Sequence, residues 1–190
     1  MARLAAALLS LACIFAVTGT QAANYPQIDF QPESARYTSA TEEYREIWRA
    51  EGAKISAALE EATGLEMESG PIRAIVYDGI SNSGYKQRVP MRMRASYPPD
   101  TKRATLVHEL AHRLISSYVG KNEDDHPIIF LFVYDVWVKL WGQEFADAQV
   151  AVESKRTGHY DYAGAWRDAL ALEPAERAER WSAFLAEQRR

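Results

Sequence analysis

The stretch Leu106-Val107-His108-Glu109-Leu110-Ala111-His112-Arg113-Leu114 decides how the rest of the chain is read. Two histidines four apart on a helix fall on one face, about 40° from each other, so both imidazoles address one point. Neutral imidazole suits a zinc ion. Glu109, one residue past the first histidine, is placed to accept a proton from a zinc-bound water. Uncharged Leu110 and Ala111 between the histidines and apolar Leu106 and Leu114 beside them agree with the motif, and Arg113 suggests a rim position. The whole chain holds 4 histidines, which makes a chance match to this spacing uncommon.

Working outward, Pro98-Pro99-Asp100 announces the helix, and helical spacing over 101–119 carries it to Gly120. A charged loop, Lys121 to Asp125, precedes an apolar helix opening at His126-Pro127. That stretch runs to Trp141, carries Asp135 and Lys139, and is shorter than the roughly 20 residues a membrane span needs. Helices are expected over 143–156, 162–172 and 174–189. Upstream, Tyr85 to Ala95 alternates, with Met91 and Met93 on one face and Lys86, Arg88, Arg92 and Arg94 on the other. Pro90 within it predicts an edge strand. Ile72 to Tyr77 reads as a second strand, followed by a turn cluster over 78–84. Tyr44, Ile47, Trp48, Ile55, Ala58 and Leu59 fall at helical spacing between a start at Thr41 and a stop at Gly64. Residues 24–37, with Pro26 and Pro32, read as an extended lead-in. The expected fold is one α+β domain: a long N-terminal helix, a small sheet with an edge strand, the two-histidine helix and a C-terminal helical remainder.

A catalytic zinc site needs a third protein ligand and an open fourth position. His126 is the best candidate, because a helix-loop-helix return would bring it over the first helix. Carboxylates are the alternatives: Glu123, Asp124 and Asp125 in the loop, or Asp135 and Glu144 beyond it. Here the chain resembles the zincin superfamily of HExxH metallopeptidases, and in particular its SprT-like and YgjP-like branch. In that branch a third histidine opens the next helix, as in His126-Pro127-Ile128-Ile129-Phe130. The resemblance covers roughly residues 100–141 and implies a zincin-like fold with three histidines on Zn2+. It further implies an extended substrate lying antiparallel along a sheet edge, a role that would fall to the 85–95 strand with Arg88, Met91 and Arg92. Its cations read first as a solvated edge guarded against aggregation by charge, and otherwise as a preference for an acidic substrate or an anionic envelope polymer. Asp135, Glu144 and Asp147 are candidates to orient a ligand histidine, and Tyr134, His159 and Tyr160 to donate to a developing oxyanion.

The chain of 190 residues carries 22 basic and 26 acidic residues, a net charge of -4, and 47% apolar residues. That balance argues against nucleic-acid partners, which require excess cations to displace phosphate counterions. The single cysteine, Cys13, excludes an intrachain disulfide. Arg3, the apolar run from Leu4 to Val17 and the small residues Thr20 and Ala22 read as a secretory signal cut near Ala22. The mature domain then spans 23–190, periplasmic or secreted, with no stable membrane insertion. The expectation is an exported zinc metallopeptidase acting on a peptide or protein substrate. His108, His112 and His126 hold the metal and Glu109 is the general base. The rivals are a cell-wall amide hydrolase on the same zinc site and a non-catalytic, zinc-stabilised envelope binding protein.

Overall fold

The computed structural model describes residues 25–86, 88–120, 123–157 and 160–190. The expected signal segment 1–22, with Cys13, and His159 lie outside the described residues.

Three strands and six α-helices make up the described chain. β1 (Ile28–Pro32), α1 (Thr38–Thr63) and β2 (Ile72–Tyr77) form a β-α-β unit, and β3 (Met91–Arg94) follows. The sheet has the order β1-β2-β3 and both pairings are parallel, Phe30 opposing Ala74 and Val76 opposing Met93. α1 delivers the first crossover. Its predicted apolar stripe is buried throughout, and Gly64 ends it with φ 67, a left-handed value that suits glycine. The lead-in thus contains a strand that Pro26 and Pro32 concealed: only Phe30 is fully buried within it, too little alternation to read.

The expected 85–95 strand shortens to Met91–Arg94, for a topological reason. Parallel neighbours need a crossover of a dozen or more residues, and residues 78–90 supply it without a helix. This connection folds back along the outer edge of β3. Asn82 exchanges both backbone hydrogen bonds with Arg92 (3.0 and 2.9 Å), and Tyr85 bridges to Val89. Gly84 lies at the tip with φ 64, where a Cβ would stand 2.3 Å from the Val89 carbonyl. Met91 and Met93 face the core, and Arg92 and Arg94 the other side, as the alternation predicts.

α2 (Pro99–Ile115) stops a turn short of the expected 119. α3 (His126–Trp141) starts at the predicted histidine. α4 (Gln143–Glu153), α5 (Tyr162–Leu170) and α6 (Pro174–Gln188) complete the helical remainder. α3 lies at its centre, packed on α1, α2, α4, α5 and α6, which is why it is apolar nearly all round.

Arg113 is not at a rim. It is buried, with Nε on the Glu68 carboxylate (2.5 Å), Nη1 on the Ser83 carbonyl (2.8 Å) and Nη2 on the Lys86 carbonyl (2.6 Å). The residue after the second histidine therefore ties the crossover to α2.

Candidate metal centre

α2 presents His108 and His112 one turn apart, and the head of α3 returns His126 against them. All three rings are within 5.4 Å of one another by centroid, and one nitrogen from each lies within 4.8 Å of the others. His108 and His126 are buried, and His112 is nearly so.

Each Nδ1 faces a carboxylate. His112 Nδ1 is 2.8 Å from Asp125 Oδ2 and His126 Nδ1 is 2.6 Å from Asp124 Oδ1. His108 Nδ1 is 3.0 Å from Glu153 Oε1, close but without the alignment of a hydrogen bond. A carboxylate at Nδ1 keeps the proton there and leaves the Nε2 lone pair free for a cation. The Nε2 atoms of His108 and His112 lie 3.0 Å apart, a distance at which one ring donates to the other or both lone pairs face one cation. His126 Nε2 is buried with no hydrogen-bond partner. Three convergent imidazole lone pairs, one orphaned, are the donor set of a transition-metal ion. Asp124 and Asp125, weighed as rival ligands, also cluster with His126 but instead orient two of the histidines.

Burial lowers His108 to about 4, against the pull of Glu153, so the ring is neutral. Burial would raise Glu153, but His108, the Arg156 guanidinium and the Trp166 indole together bring it down to about 2. The Trp166 indole donates to Glu153 Oε2 at 3.1 Å, and Arg156 Nη2 sits 3.2 Å from Oε1. Phe130 packs under His108 and His126 and is itself stacked on Trp166, centroids 3.7 Å apart. Tyr162 also packs on the site, 4.4 Å from the His126 ring, with Arg156 over its face.

Glu109 is buried on α2 between the two histidines in sequence. Burial raises its carboxyl to about 7, partly offset by His112 and Arg156. Among the described residues its carboxylate has no hydrogen-bond or ion-pair partner, unlike Asp124, Asp125 and Glu153.

Other predicted residues fall elsewhere. Asp135 does not orient a histidine: it is held by Arg177, at 2.9 and 2.6 Å. Tyr134 donates to Asp147 at 2.7 Å on the α3–α4 surface and is not an oxyanion donor for the histidine site, and Glu144 is exposed. Tyr160 does lie at the site, 4.9 Å from the His126 ring. The substrate-strand role for Arg88, Met91 and Arg92 does not fit the sheet edge. Asn82 occupies the Arg92 backbone, Ser81 Oγ accepts from the Arg94 N–H (3.1 Å), and the Tyr44 hydroxyl donates to the Arg94 carbonyl (2.9 Å). Met91 is fully buried, and Arg88 is exposed in the crossover.

Sequence reasoning missed Glu153, Arg156 and Trp166. One signal pointed to Glu153: Ala146, Gln149 and Glu153 repeat at helical spacing and are the buried residues of α4, which places an acid on a core face. An open cavity of about 690 Å³ lies at the C-terminal end of α2 against Met67, Arg113 and Tyr118, and no histidine lines it. No family model matches the chain, and neither a curated protein nor a solved structure does.

Proposed function

We propose that the chain is an exported zinc metallohydrolase, and specifically a metallopeptidase of the zincin type, with His108, His112 and His126 as metal ligands and Glu109 as general base. One observation carries the reading. Four acids surround the three histidines; Asp124, Asp125 and Glu153 face the Nδ1 atoms, and Glu109 alone has no partner among the described residues. A site built only for stability needs no buried, unpaired carboxylate, which is costly to keep.

Zinc, when bound there, supplies Lewis acidity that polarises a carbonyl and acidifies water. The chain's own groups divide the remaining work. Burial holds Glu109 near neutrality, where a carboxylate can take a proton from water and release it to a departing amine. Asp124, Asp125 and Glu153 hold the three rings in one tautomer and aim them inward. Phe130 and Tyr162 wall the histidines from solvent, which strengthens every charge interaction inside. Export rests on the signal-like pattern before Ala22.

The test compares the purified protein with Glu109→Gln and His126→Ala, by elemental analysis and by hydrolysis of a quenched-fluorescence peptide mixture. The expected result is about one zinc per chain in wild type and Glu109→Gln, a loss of zinc in His126→Ala, and peptide hydrolysis in wild type alone. Hydrolysis surviving in Glu109→Gln refutes the general base. Cleavage of cell-wall amides but not of peptides moves the substrate assignment to the polymer and leaves the site roles intact.

A further inference from the structure

The cations noted at 86–94 take no part in the metal centre. Residues 72–94 hold five basic residues, Arg73, Lys86, Arg88, Arg92 and Arg94, against the single acid Asp78, in a chain whose net charge is -4. They gather on one surface. Arg73, Arg92 and Arg94 leave β2 and β3 on the face opposite the buried Ala74, Val76, Met91 and Met93, and Arg73 reaches the Arg88 carbonyl at 3.4 Å. Arg92 and Arg94 have partial partners in Glu33 (3.4 Å) and Asp78 (3.6 Å). Among the described residues, Arg73, Lys86 and Arg88 make no ion pair with an acid.

The same crossover presents the three most exposed of the large apolar side chains among the described residues. Ile80 is 81% exposed, Val89 50% and Tyr85 44%. They are not on a loose loop. The Tyr77 hydroxyl holds the Ile80 carbonyl, the Asn82–Arg92 and Tyr85–Val89 bridges fix the backbone, and Arg113 holds the Ser83 and Lys86 carbonyls from α2. A fixed backbone that displays an isoleucine and a valine among unpaired cations is built to meet a surface that is both anionic and oily.

We propose that the 78–94 crossover docks the protein on an anionic phospholipid surface. Ile80, Val89 and Tyr85 enter the headgroup–acyl boundary while Arg73, Lys86 and Arg88 meet the lipid phosphates. An anionic polymer would satisfy the cations but gives no reason for the exposed aliphatic side chains. Through Arg113, which follows the metal-site His112 in α2, the docking surface and the candidate metal centre are parts of one rigid assembly. The docking inference does not depend on the proposed chemistry: the surface binds or fails to bind with or without hydrolysis.

The test is co-sedimentation of the purified protein with vesicles of phosphatidylglycerol in phosphatidylcholine and with vesicles of phosphatidylcholine alone, at low and high salt. Binding is expected to the anionic vesicles only and to fall as salt rises. Arg73→Gln with Arg88→Gln should weaken it about 25-fold, fivefold for each cation at about 1 kcal/mol. Ile80→Asp should weaken it about tenfold or more, through loss of an apolar side chain from the boundary. All three substituted positions are exposed, so circular dichroism and zinc content should match wild type. Equal binding to both vesicle types, no binding to either, or wild-type affinity in the double variant overturns the proposal. An unchanged Ile80→Asp, with polyglutamate displacing the protein as well as lipid does, reassigns the surface to an anionic polymer.

Discussion

Replacing Glu153 by glutamine isolates the part of the candidate centre that no local sequence pattern announces. The substitution keeps the shape and removes the charge. In the folded protein Oε2 accepts from Trp166 at 3.1 Å, while Oε1 lies 3.0 Å from His108 Nδ1 and 3.2 Å from Arg156 Nη2 and holds both by charge, and the carboxylate has no donor to offer. A glutamine amide has one acceptor oxygen. If that oxygen turns to Trp166, its NH2 meets the His108 Nδ1–H and drives the proton to Nε2, where the metal lone pair is needed. If it turns to His108, the NH2 meets the indole N–H. Either way a buried donor is left unsatisfied, at about 1–3 kcal/mol. Arg156, one-fifth exposed, also loses its counter-charge. We expect zinc affinity to fall about 10–100-fold, or about 1.4–2.7 kcal/mol. Competition against a chromophoric chelator measures the affinity. Calorimetry of the metal-free protein should show a melting temperature lowered by roughly 2–4 °C per kcal/mol lost. Zinc affinity within twofold of wild type would refute the argument that Glu153 sets the tautomer of His108.

Other outcomes follow from the same contacts. Zinc at a hundred times its dissociation constant should stabilise the fold by about 2.7 kcal/mol, a rise of roughly 5–10 °C in calorimetry. An equal rise in His126→Ala would exclude that histidine from the metal. Arg113→Met removes the guanidinium from which the Ser83 and Lys86 carbonyls and the Glu68 carboxylate accept, so it should cost about 2–4 kcal/mol and open residues 78–90 to limited proteolysis; resistance equal to wild type would show that the crossover holds itself. Tyr44→Phe removes the hydroxyl that caps the Arg94 carbonyl and should shift a urea midpoint by the equivalent of about 1 kcal/mol. No shift would mean that water replaces the hydroxyl at that edge.

The parts legible in the sequence are those set by helical spacing. His108, Glu109 and His112 share a helix, and His126 opens the next, where the short loop leaves little choice but to return it. The stripe of α1 and the strand Ile72–Tyr77 are equally local. What was hidden depends on docking between distant elements. Glu153 and Arg156 reach the histidines only because α4 packs on α2 and α3. Asp135, an acid in an apolar helix, invited a role at the centre, yet Arg177 arrives 42 residues later to neutralise it. β1 escaped notice because its partner β2 lies beyond the whole of α1. The 85–95 alternation is real as a pattern of faces. It breaks as a strand because a parallel partner demands a crossover, which the local periodicity does not record.

That crossover also governs how the protein keeps its own kind at a distance. The amide and carbonyl of Arg92 are taken by Asn82, and those of Arg94 by Ser81 and Tyr44, so a foreign strand finds no row of free groups along β3. Fibril growth or strand exchange from this sheet must therefore start at β1, and that strand is only five residues long, with Asp29 exposed near its start and Pro32 at its end. A chain in which Arg113 no longer holds the crossover would reopen the β3 flank, and its first symptom would be association, with the three-histidine centre still whole.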